Sequence, residues 1–224
     1  ELLADMLLHP RLDETDLNTE RGVVLEEINM VEDSPDDLVV ERLFEATWGA
    51  PGLGSPILGT QQTVSSFSPA VLRDYMARAY GAGNIVVSVA GRFDRDRMVK
   101  LLRGLLEPLP ASPRRGEAPL PLFTPAIVTK DKDIEQNHLC YGFPGYGVTD
   151  RRATALSIVS HILGDGMSSR LFQRLREQLG LVYTVSTFLS SHKGCGLLVL
   201  YSAQQAESEA RAMEAIEEEI ALHL

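Results

Sequence analysis

Glu20 and Glu27 stand seven residues apart, about two turns of an α-helix, so a helix through them presents both carboxylates on one face. Glu26 points about 100° away from Glu27 around the same helix. A metal ion needs ligands that converge. Glu20 and Glu27 can therefore serve one site that Glu26 cannot join. On spacing alone, a solvated acidic face is the simpler explanation of the pair. Arg176 and Tyr183 are also seven apart, with Gly180 between them. Gly180 reads as the end of a helix, which places Arg176 on its last turn and Tyr183 on the strand that follows. Such a corner can aim a guanidinium and a phenol at one extended backbone. On spacing alone, a surface arginine and a half-buried sheet tyrosine are the simpler explanation.

Other routes to chemistry are closed by the sequence. The histidines are His9, His138, His161, His192 and His223, none three, four or five residues from another. HExxH and its inverse HxxEH are both absent, as are GxSxG, GxGxxG and the phosphate loop that ends in Lys. Gly164-Asp165-Gly166-Met167-Ser168-Ser169 has the composition of a phosphate loop but lacks that Lys. His138 and His161 fall among apolar neighbours and read as packed side chains. Cys140 and Cys195 have no CxxC partner, so neither a disulfide framework nor a cysteine zinc site is indicated.

The elements that must position these residues follow from pattern. The chain has 224 residues, 44% hydrophobic and 23% charged, with a net charge of −10. That composition folds, and it excludes disorder over the whole length. Uniform acidity excludes a nucleic-acid partner, and no apolar run is long enough for a membrane span. Residues 16–31 carry a helical stripe through Leu17, Val24, Leu25, Ile28 and Val31. Ser34-Pro35-Asp36-Asp37 starts the next helix, which runs to about Trp48. A loop with four glycines spans 49–60. Ser68-Pro69 and Asp94 start further helices, and the β-branched run 84–90 between them reads as a buried strand. Six of the twelve prolines lie in 107–125, which suits a linker and not a central strand. Strands are expected near 126–131, 136–143, 181–189 and 196–203, with helices from Asp150 to about Leu163, from Ser168 or Ser169 to Leu179, and from about Ala206. Both ends read as interrupted helices, so a fragment of a longer protein is the expectation.

At these residues the sequence resembles a known family. Glu20-Arg21-Gly22-Val23-Val24-Leu25-Glu26-Glu27-Ile28 is similar to the "ER-x-V-x-x-EE" segment of the pitrilysin/insulinase zinc metallopeptidases, the group that includes mitochondrial processing peptidase and small bacterial relatives. Gly54-Ser55-Pro56-Ile57-Leu58-Gly59-Thr60, the run 84–91 and the run 136–143 follow in the family's order. The most specific match runs from Gly166 through Arg176-Glu177, with Leu179-Gly180-Leu181-Val182-Tyr183-Thr184-Val185. The resemblance covers nearly the whole chain.

What the resemblance implies is an α+β fold, a mixed and largely antiparallel sheet backed by helices, repeated in two domains that close as a clamshell. Residues 1–106 would be the later half of the first, zinc-carrying repeat, 107–125 the linker, and 126–224 the earlier half of the second. Glu27 would be the third zinc ligand and Glu20 the carboxylate that orients a zinc-bound histidine. Arg176 and Tyr183 would hold the substrate backbone. The family's HxxEH, with two zinc-binding histidines and the glutamate that activates water, lies some tens of residues before the glutamate ligand, and this chain does not contain it. The parent is therefore expected to be a zinc endopeptidase acting on peptides or unfolded segments, and this chain to be inactive alone and without its zinc. A non-catalytic partner or scaffold subunit of the same family is the alternative. Retention of Glu20, Glu27, Arg176 and Tyr183 together favours a single-chain peptidase or a homodimer. The compartment is not legible; between periplasm and cytoplasm, the cytoplasm is the expectation. As a folded object, the two half-repeats are expected to complement each other in one sheet that includes 84–90, with a swapped dimer as the runner-up.

Overall fold

The computed structural model describes residues 1–111, 116 and 119–222. Parts of the proline-rich stretch (112–115 and 117–118), together with His223 and Leu224, lie outside the described residues. The chain forms two compact units: residues 1–28 with 58–118, and residues 29–57 with 119–224.

The first unit is helical. It holds α1 (Leu2–Leu8), most of α2 (Glu14–Asp33), α4 (Gln61–Ser66), α5 (Pro69–Ala79) and α6 (Arg95–Leu106). Its helix starts are written in the sequence. Thr60 and Thr63 close a reciprocal capping box at α4, Ser68 accepts from the Val71 amide ahead of Pro69, and the Asp94 carboxylate accepts from the Arg97 amide at 2.7 Å. Two arginines tie the helices together. Arg21 donates to the Phe67 carbonyl at 2.6 Å and Arg73 to the Leu12 carbonyl at 2.8 Å. Ile28, Val64 and Ala79 are its buried apolar side chains.

The expected strand at 84–90 does not form. A short 3₁₀ turn covers Ala82–Asn84, and the residues after it run without a ladder partner, with Val86 exposed to 85%. Strand propensity is a preference of the residues, but a strand exists only where a neighbour offers matching N–H and C=O groups. No described segment offers them to 84–90. The expected strand at 126–131 fails for the same reason, and Ile127 is 96% exposed. That segment is held by side chains instead. The Lys130 ammonium bonds the Glu32 carboxylate at 2.7 Å, Lys132 donates to the Glu32 carbonyl, and Glu32 is pulled below its ordinary pKa mainly by Lys130. A sheet shared between 84–90 and the later strands is therefore not the way this chain folds.

The second unit is built on a three-stranded antiparallel sheet in the order β1 (Asn137–Gly145), β3 (Gly196–Gln204), β2 (Thr184–Ser191). Tyr141 faces Leu200 in one pairing, and Thr187 faces Leu200 in the other. β3 is central and buried almost throughout, which explains its near-continuous apolar run Leu197-Leu198-Val199-Leu200. Its core joins Val185 and Leu200 to Leu171, Leu175, Ala212, Ala215 and Ile216, the last three on α8 (Glu209–Ala221). α3 (Pro35–Trp48) packs on β1, close enough that a Cβ on Gly142 would meet Leu43 Cδ1 at 2.9 Å. Ser34 precedes α3 as expected, but its hydroxyl bonds the Asp36 and Asp37 carboxylates and not a backbone amide. The class is α+β, helices with an antiparallel sheet, and no helix among the described residues is long and apolar enough to cross a membrane.

α7 (Arg152–Gly164) begins where the Asp150 carboxylate accepts from the Arg152 amide at 2.8 Å and also pairs with its guanidinium. Those bonds hold the Asp150 carboxyl down at about 2. At its far end α7 touches β2 backbone to backbone. A Cβ on Gly164 would lie 2.6 Å from Thr187 Cγ2 and 2.8 Å from the Thr187 nitrogen, while the Thr187 hydroxyl donates to the Ser160 carbonyl at 2.7 Å. Gly164→Ala must push the helix off the strand and is expected to cost about 1–3 kcal/mol. Gly22→Ala, in the interior of α2 with open space around it, is expected to stabilise by up to about 1 kcal/mol. Chemical denaturation of the two variants checks both signs.

Candidate functional site

Arg176 and Tyr183 meet at the corner between a helix and β2. The helix is not a plain α-helix as the sequence suggested. Residues Phe172–Gln178 wind as a π-helix, closed by Leu179 N–H donating to the Arg174 carbonyl at 3.1 Å. Leu171 and Leu175 are fully buried in the core, so their neighbours on the opposite side, Arg176 among them, face solvent. Gly180 then takes φ +60, a conformation that suits glycine, and Leu181 N–H donates back to the Leu175 carbonyl at 2.9 Å. The chain reverses within those residues. Tyr183 N–H donates to the Ala203 carbonyl at 2.8 Å and so starts the β2–β3 pairing.

The result is a fixed corner. The Arg176 guanidinium lies 4.9 Å from the centre of the Phe172 ring and 5.8 Å from that of Tyr183, both within cation–π range. Tyr183 is 68% exposed, not half-buried in the sheet. Among the described residues the Arg176 side chain has no carboxylate partner and no hydrogen bond. Both residues are exposed, and the guanidinium N–H groups and the phenol hydroxyl can both donate to carbonyl oxygens. Phe172 is the residue that spacing arguments overlooked; its i,i+4 relation to Arg176 was the available signal.

Glu20, Glu26 and Glu27 lie on α2 in the first unit and are all exposed. Seven residues at 1.5 Å each separate Glu20 from Glu27 by about 10.5 Å along the axis. Zinc is the metal that the resemblance implies, and tetrahedral catalytic zinc takes three protein ligands plus water. No three His, Cys, Asp or Glu side chains among the described residues could hold a metal ion together. The described donors do not fit zinc on their own, and no chemistry through a metal is assigned to them.

The remaining titratable groups read as structural. His138 Nδ1 lies 2.9 Å from the Tyr201 hydroxyl; burial lowers its pKa and Asp36 works against that. Burial also pushes the Tyr201 phenol and the Cys140 thiol up to about 12. His161 is not packed, as its apolar sequence neighbours suggested. It sits on the last turn of α7, exposed, with Nδ1 2.8 Å from the Asp165 carboxylate.

The chain belongs to peptidase family M16: the insulinase (peptidase family M16) model matches residues 1–61, and the peptidase M16 inactive-domain model matches residues 66–223. It is similar to the uncharacterized zinc protease YmxG of Bacillus subtilis (strain 168), with 40% identity over 99% of this chain and 54% of that protein. An uncharacterized zinc protease of Streptomyces coelicolor is 34% identical over 90% of this chain and 46% of its own length. The chain thus spans about half the length of the curated relatives it matches. In fold it is similar to the peptidase M16 inactive domain from Pseudomonas fluorescens, with a TM-score of 0.90 and 21% identity over 99% of this chain and 54% of the other.

Proposed function

We propose that this chain is the middle portion of a zinc-dependent endopeptidase that cleaves peptides or unfolded segments. Residues 1–106 form the later half of the zinc-carrying repeat and 126–224 the earlier half of the second, joined through 107–125. Glu27 supplies one zinc ligand of the whole protein, and Glu20 orients a neighbouring ligand. Arg176 and Tyr183 hold the substrate main chain. The observation that carries the reading is the Arg176–Tyr183 corner, where a guanidinium with no carboxylate partner among the described residues lies 5.8 Å from the ring of an exposed tyrosine. The names of the similar proteins, zinc proteases, support the reaction class.

A partner or scaffold subunit is the second reading, favoured by the description of the model matching residues 66–223 as an inactive domain. The retention of Glu20 and Glu27 in the same sequence as Arg176 and Tyr183 weighs for the enzyme. The two readings part in the full-length protein: the enzyme has HxxEH ahead of Glu20 and cleaves an unstructured peptide, and the scaffold does neither.

Alone, the chain is expected to bind no stoichiometric tight zinc at neutral pH, because Glu27 lacks histidine partners. Calorimetric titration that finds one sub-micromolar site would overturn the ligand assignment.

A further inference from the structure

We infer that Phe172 is a positioning residue that aims the Arg176 guanidinium at the main-chain carbonyls of an extended peptide; this rests on the reading of Arg176 as a substrate grip. An arginine meant to bind a carbonyl has to be held without spending its donors. A carboxylate does hold arginines elsewhere in this chain. Arg152 lies 4.3 Å over the Tyr146 ring and is also clamped by Asp150 at 2.8 Å, which occupies part of its fork. Arg176 has no such clamp among the described residues and is flanked by two rings. Stacking takes the face of a guanidinium and leaves the N–H groups on its edge free.

Of the two rings, Phe172 is the anchored one. It packs against the core around Leu171 and Leu175, whereas Tyr183 is largely exposed and lies farther from the guanidinium. The π-winding serves the same end. Bonding to the fifth residue widens the turn, and Phe172 and Arg176, four apart within it, come into ring contact while Leu171 and Leu175 stay in the core. Tyr183 is thereby left free to offer its hydroxyl.

The test compares Phe172→Leu, Phe172→Tyr, Arg176→Ala and the Phe172→Leu/Arg176→Ala double variant in the full-length protein, with an unstructured peptide as substrate. Leucine keeps most of the apolar packing and removes the ring face. Phe172→Leu is expected to raise KM about 2- to 5-fold with little change in kcat, the size of an exposed cation–π contact. Phe172→Tyr restores the original KM. In the Arg176→Ala background Phe172→Leu adds nothing. The same protein labelled for NMR gives an activity-free readout: the Arg176 side-chain protons shift upfield under the rings, lose most of that shift in Phe172→Leu, where only the farther Tyr183 ring remains, and keep it in Phe172→Tyr. An equal KM penalty with and without Arg176, or no ring-current shift, overturns the proposal while leaving the grip intact. An unchanged KM in Arg176→Ala overturns the grip itself, and the role of Phe172 with it.

Discussion

Glu27→Gln in the full-length protein is expected to abolish both zinc retention and peptide cleavage. A carboxylate carries the charge that a divalent cation binds; the amide that replaces it is neutral and a poor ligand. The substitution is clean because Glu27 is exposed on the middle of α2 and Gln matches Glu in helix propensity. Folding therefore remains, and any loss belongs to the metal. Glu20→Gln, two turns earlier, should weaken both properties less, roughly 10- to 100-fold, because it acts through a ligand and not on the ion. Metal analysis of the purified variants beside a cleavage assay separates the cases. A Glu27→Gln protein that keeps its zinc and its full rate would show that the ligand is another residue.

Tyr183→Phe is expected to lower kcat about 10²-fold in the full-length protein, the usual size for loss of one donor to a developing oxyanion. The hydroxyl is the part removed. The ring stays, so its contact with Arg176 at 5.8 Å and the substrate grip persist, and KM should move little. The backbone role of Tyr183, donating to Ala203, is untouched, and an exposed hydroxyl costs nothing to remove from the folded state. A melting temperature equal to the parent's, alongside the fallen kcat, is the expected pair of results. An unchanged rate would reduce Tyr183 to a surface tyrosine at the start of β2.

Much of the scaffold was legible because its signals are local. Ser68-Pro69 and Asp94 mark helix starts through their own side chains, and the apolar run in β3 announces a strand buried on both faces. What failed was nonlocal. The runs 84–90 and 126–131 have the composition of strands, but pairing is a property of two segments, and no described segment pairs with them. The π-winding of Phe172–Gln178 was also hidden, because the apolar spacing of Leu171 and Leu175 suits an α-helix equally well. At the site, a spacing of seven across Gly180 located the Arg176–Tyr183 corner but could not say whether the side chains met. The resemblance supplied their roles, and the fold supplied their contact through Phe172. For Glu20 and Glu27 the sequence gives a shared helix face, and the structure adds only that the face is open.

In the proposed zinc peptidase, Arg176 and Tyr183 hold the substrate. The direct measurement is hydrolysis of an unstructured, internally quenched peptide by the full-length protein, before chelation, after it, and after zinc is restored. Cleavage that disappears with the metal, returns with it, and falls about 10²-fold in Tyr183→Phe is the predicted result. A folded full-length protein that retains no zinc and cleaves nothing would contradict it and establish the scaffold.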